Sequence, residues 1–187
     1  MSAFLLRPQP SCQWLSCGGS QAVISKLEHM PPIVSLHHEH LVRINDPANV
    51  AGIWLSRAQL WDGLRHTILA PQSLDESIDA ASIQALDPCT VRREIRRGGQ
   101  TTIDEVDLVE GESLTIRADP KDEFAGSTLA IRIEEPASEN FFVRFVYDLC
   151  GLTEVRDEEE DSARRAAYQA SDIERVREAR RYVCRPH

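Results

Sequence analysis

At 187 residues the chain is long enough for one domain with a full hydrophobic core. A hydrophobic content of 42% and a charged content of 27% fit a globular protein, and no apolar run approaches the roughly 20 residues needed to span a bilayer. The net charge of −9 argues against a general nucleic-acid binder, because phosphate contacts need a basic surface.

Five cysteines (Cys12, Cys17, Cys89, Cys150 and Cys184) match neither a zinc ribbon nor a CxxC pair. They read as reduced thiols, which places the protein in the cytoplasm. Residues 1–32 show no clear period, contain Pro, Ser and Gly breakers, and lack the layout of a secretory signal. They read as a loosely attached extension. Met30, just ahead of the first convincing strand, is a candidate start of the natural protein. The domain proper is expected over 33–187.

The first strand is predicted at about 33–44, with Val34, Leu36, Val42 and Ile44 on one face by period two. It carries the run "HHEH" at 37–40, and "NDPAN" breaks it. A helix starts at Ser56, where "SRAQ" forms a capping box between Ser56 and Gln59. Leu60, Trp61, Leu64 and Ile68 make its apolar stripe, and Pro71 ends it. "QSLDESID" reads as a second, short helix. Alternation then takes over in "SIQAL", "TVRREIRR", "TTIDEVDLV", "SLTIRAD", "STLAIRIEE" and "NFFVRFVYDL". A turn at "DP" 87–88 and a hairpin signal at Gly98-Gly99 separate the first of these. A long helix at about 160–183 closes the chain. Its acidic start and its arginines Arg177, Arg180 and Arg181 complement the helix dipole. Its apolar stripe is expected to include Ala163, Ala166, Ala170, Ile173 and Val176, and the early, alanine part would leave space between helix and sheet.

The order is therefore strand, two helices, six strands and a long helix. This is an α+β arrangement in which a curved antiparallel sheet of seven strands wraps the C-terminal helix. One helix cannot fill the concave side of such a sheet, so an internal cavity is expected. A free sheet edge leaves pairing into a homodimer open.

"HLVRINDP", "LSRAQLWDGL", "VRREIRRGG", "IDEVDLV" and "FFVRFVYDL" resemble, in order and spacing, the AtaL-like family of the Bet v 1-like or START-like helix-grip superfamily. The resemblance covers roughly 36–183. The chain departs from it at "ILAPQSLDES", where a basic-aromatic continuation of the first helix is expected. The resemblance implies a cavity for hydrophobic or aromatic small molecules between sheet and long helix. It further implies a place in secondary metabolism, ring closure of polyketide-like intermediates included, with no cofactor. Within the superfamily some branches only carry ligands, so fold alone does not decide function.

Parity assigns the polar residues that face this cavity. His38 and His40 go inward, while His37 and Glu39 go out. Arg93 and Arg97 point inward with Val91 and Ile95. Phe141, Val143, Phe145, Tyr147 and Leu149 form one wall. Either Asp104 or Glu105 turns inward to partner Arg93. Histidine suits proton transfer near neutral pH, and arginine suits a developing oxyanion. The candidate catalytic residues are His40, Arg93 and Glu105. Candidate substrate contacts are His38, Trp61, Asp104, Phe145 and Tyr147. No third ligand joins His38 and His40 into a metal site. The leading expectation is a cyclase, isomerase or hydro-lyase working by acid–base chemistry. The alternatives are a non-catalytic binder or carrier of a hydrophobic small molecule, and an interaction protein with a filled core.

Overall fold

The protein was analysed as a computed structural model that describes residues 34–46, 48, 53–120, 126–152 and 158–185. The expected extension at 1–32, with Met30, Cys12 and Cys17, lies outside the described residues.

The first strand, β1 (Val34–Arg43), gives way to a clamp built on Asn45. Its side chain donates to Leu55 O and Glu139 O, both at 2.9 Å, and accepts from Leu55 N at 3.1 Å. Every polar atom of this buried amide is thus used, which removes the penalty of burying it. Helix α1 (Arg57–Leu69) follows, with the capping box at Ser56 and Gln59 in place. Leu60, Trp61, Leu64 and Ile68 are buried, each worth about 1.5–3 kcal/mol against exposure. The second helix expected over "QSLDESID" shrinks to a single 3-10 turn, Pro71–Ser73. Asp75 there accepts from the amide and hydroxyl of Ser77, an alternative to helical bonding that such residues favour.

Six strands then run as a meander: β2 (Ile78–Asp87), β3 (Thr90–Arg97), β4 (Gln100–Val109), β5 (Ser113–Ala118), β6 (Ser127–Glu134) and β7 (Phe142–Leu152). Gly98 and Gly99, at φ +53° and +80°, make the tight β3–β4 turn that only glycine adopts without strain. The first strand returns to pair with the last, so the sheet order is β1-β7-β6-β5-β4-β3-β2, antiparallel throughout. The sheet does not close, and β1 and β2 are its edges. Helix α2 (Glu158–Val183) completes the fold.

The core lies where α1 and the end of α2 meet the sheet. Leu60, Leu64, Ile68, Val176 and Ala179 cluster with Val106, Leu114, Ile131, Val143 and Phe145. Gly63 sets the helix spacing, since a Cβ there would stand 2.6 Å from Ala179 O. Among the described residues no helix is long and apolar enough to cross a membrane.

Candidate functional site

β1 sorts its polar run by pleat. Leu36 and His38 are buried, while His37 and Glu39 are exposed. His37 meets Asp148 at 2.7 Å on the outer face, and Glu39 meets Arg144 there. His38 stands opposite Tyr147 of β7 and His40 opposite Phe145. This pairing fixes the register and delivers both histidines to the side that α2 covers.

Helix α2 then supplies the acid. Asp172 is fully buried, and its Oδ1 accepts a 2.5 Å hydrogen bond from the Tyr147 hydroxyl. Its Oδ2 lies 3.3 Å from His40 Nδ1. Burial pushes the Asp172 carboxyl above its ordinary range, outweighing the opposing pull of its bonds to Tyr147 and His40. Burial and the neighbouring Asp172 charge push the Tyr147 hydroxyl up as well. Tyr168, one turn before Asp172, stacks on Tyr147 with ring centroids 4.1 Å apart. His38 lies 6.2 Å from both rings. Its Nε2 is buried without a partner. Burial, then the charge of Arg165, holds its pKa below the ordinary imidazole value.

The ambiguity at β4 is resolved by the ladder. Asp104 stands opposite Arg93 and binds it in a fork, Nε to Oδ1 at 2.7 Å and Nη2 to Oδ2 at 2.8 Å. A third guanidinium bond goes to Ile68 O at 3.2 Å. Glu105, expected as a catalytic group, turns instead to the outer face and bonds Arg92 at 2.7 Å. The two-residue period allows only one of two adjacent acids to face in, and Val106 and Leu108 carry Asp104 with them. Arg97, expected inward, is exposed and bound to Asp75. Trp61 and Phe145 are buried in the apolar core.

Asp172, Tyr168 and Arg175 escaped the reading by residue type. The expected stripe of α2 is overturned: Ala163, Ala166, Ala170 and Ile173 are exposed, and of that set only Val176 is buried. The face actually turned inward runs Tyr168, Asp172, Arg175, Val176, Ala179. That is also a regular helical spacing, but a polar one, and an apolar search passes over it. Arg175 donates to Thr67 Oγ1 at 2.9 Å, its Nε is buried without a partner, and burial lowers its pKa. The inward side of this stretch therefore carries rings and charges where small residues were expected. A separate cleft of about 510 Å³ opens where β1 ends, lined by Arg43, Ile53, Trp54, Arg180 and Cys184 among others. His38, His40 and Tyr147 do not line it.

An open antiparallel sheet gripping a long C-terminal helix is the architecture of the Bet v 1-like or START-like helix-grip proteins. The family model of AtaL, described as acetylaranotin biosynthesis cluster protein L, matches residues 42–185, and the chain belongs to that family. A comparison with curated proteins finds no match. Among solved structures, the di-domain ARO/CYC StfQ of the steffimycin pathway aligns with a TM-score of 0.61 at 10% identity, over 86% of this chain and 60% of its own. The di-domain ARO/CYC BexL of the BE-7585A pathway aligns at 0.60 and 10%, over 82% and 51%. The chain thus spans only part of these two-domain proteins. The Zhui aromatase/cyclase of Streptomyces sp. R1128 aligns at 0.56 and 15%, over 80% and 96%. At such identities the likeness is one of fold.

Proposed function

We propose that the protein is a cofactor-independent enzyme of the cyclase, isomerase or hydro-lyase type. Its substrate would be an aromatic or polyketide-like intermediate of secondary metabolism, bound between sheet and α2. The observation that carries this reading is the array Tyr147–Asp172–His40, buried at Tyr147 and Asp172 and partly exposed at His40, with His38 beside it. Membership of a family described by a biosynthetic cluster, and a fold shared with aromatase/cyclases, support it.

In this reading Tyr147 orients Asp172, and Asp172 holds His40 Nδ1. That leaves His40 Nε2 as the base for a proton next to a substrate carbonyl. The enolate so formed attacks a second carbonyl of the same chain, and the new alkoxide takes a proton back from the imidazolium. Loss of water completes an aromatic ring without any change of oxidation state. The protein's main contribution is to hold the chain folded so that the two carbons meet. His38, kept neutral by burial, offers Nε2 to a substrate hydroxyl or carbonyl according to its tautomer.

The test compares metabolites of the source organism with and without the gene, then complements with His40→Ala and Asp172→Asn. Loss of a cyclised product, restored by wild type and by neither variant, is expected. Full turnover by His40→Ala would remove this mechanism. Altered amounts of unchanged products in the deletion would indicate a carrier.

A further inference from the structure

Arg175 is an interior cation whose counter-charge, Asp172, acts on it through space and not through a salt bridge. It makes no ion pair among the described residues, and its one hydrogen bond goes to the Thr67 hydroxyl. That hydroxyl's own proton is committed to Leu64 O at 2.7 Å, so Thr67 only accepts from Arg175. The Nε–H is buried and unbonded. Asp172, one turn away on α2, has its two oxygens engaged by Tyr147 and His40. Arg93 adds positive charge nearby, and Asp104 has already neutralised it. A desolvated cation with an idle donor is costly, and an unsatisfied buried group in a native fold calls for a cause. The residue as a whole is only partly covered, although its Nε is buried.

We propose that Arg175 is the anchor for a delocalised oxyanion on the ligand, a carboxylate or an enolate or phenolate oxygen, held through Nε–H and the adjacent guanidinium N–H. The inference rests on the reading that small molecules bind between sheet and α2, but not on catalysis. It narrows the ligand class to flat, anionic compounds: the planar guanidinium pairs two parallel N–H groups with such an anion, and the Tyr147–Tyr168 stack offers a flat aromatic wall.

The test is a titration of the full chain with 2-naphthoate and with 2-naphthamide, equal in shape and different in charge. Naphthoate is expected to bind about tenfold more tightly. Arg175→Gln should bring naphthoate down to the level of naphthamide, leave naphthamide unchanged and preserve the circular dichroism spectrum. Arg175→Lys should keep part of the preference. In the wild type, the Arg175 Nε–H resonance should shift with naphthoate and stay put with naphthamide, a readout that does not depend on a variant folding. Equal affinities, a preference that survives Arg175→Gln, or no binding of either compound overturns the proposal. A protein that keeps this preference yet performs no cyclisation would refute the enzymatic reading alone.

Discussion

Two arginines reach the last turn of α1, Arg93 at Ile68 O and Arg175 at Thr67 Oγ1. Arg93 comes from a strand, meets Asp104 across the ladder in a fork and is almost wholly buried. Arg175 comes from the long helix, makes no salt bridge among the described residues and carries an idle Nε–H. A buried ion pair with a partner for each guanidinium nitrogen serves the scaffold. A half-buried cation with a single hydrogen bond serves it poorly, and under our proposal it serves a ligand. The same contrast separates the β3–β4 hairpin from the β1–β7–α2 side of the sheet, where His38 Nε2 is also unbonded.

The largest effect should come from breaking the satisfied pair. Arg93→Ala strands the Asp104 carboxylate and is expected to cost about 3–5 kcal/mol of unfolding free energy, measured by urea denaturation. Arg93→Met with Asp104→Leu should recover most of it. Arg175→Gln, in the same assay, should stay within about 1 kcal/mol of wild type, because it removes a poorly satisfied charge. A loss from Arg175→Gln as large as that from Arg93→Ala would erase the distinction. Tyr147→Phe removes one donor from Asp172 and should cost about 1–3 kcal/mol, while leaving the Tyr168 ring its neighbour.

The smallest effect is in pH. The folded pKa of His38 lies below its unfolded value of 6.5. Above pH 6.5 both states are neutral and the histidine is indifferent. As pH falls below 6.5 the unfolded chain takes up the proton first, so stability declines until the folded pKa is passed. Asp172 has the opposite sign. Its folded pKa is raised above 3.8, so stability is greatest below that pH and falls as pH rises through the raised value. Urea midpoints across pH should show the decline below pH 6.5 flatten in His38→Phe and the decline that sets in above pH 3.8 flatten in Asp172→Asn. A profile unchanged in both variants would mean that neither group is held away from its ordinary state.

Parity made the strand half of the site legible. Alternating apolar residues on β1 and β7 were enough to turn His38, His40 and Tyr147 inward, because a pleat offers only two faces. The same rule narrowed β4 to two registers and stopped there, since "IDEVDLV" puts apolar residues on both faces. The helix half was misread for a different reason. A helix face can drift by one residue without changing its period, and α2 offered both an alanine stripe and a polar one. Burial of Val176 and Ala179 against α1, at the close approach through Gly63, picks the rotation.

What the chain determined by itself was local. Capping at Ser56, the Gly98-Gly99 turn, the strand order of the meander and the outward fate of His37 and Glu39 follow from chemistry within a few residues. What needed the tertiary structure was the pairing of Asp172 with His40 and Tyr147 across the gap between sheet and helix, and the contact of Arg175 with Thr67 on α1. Those partners lie far apart in sequence, and packing of the helix against the core sets their separation, which no local pattern encodes.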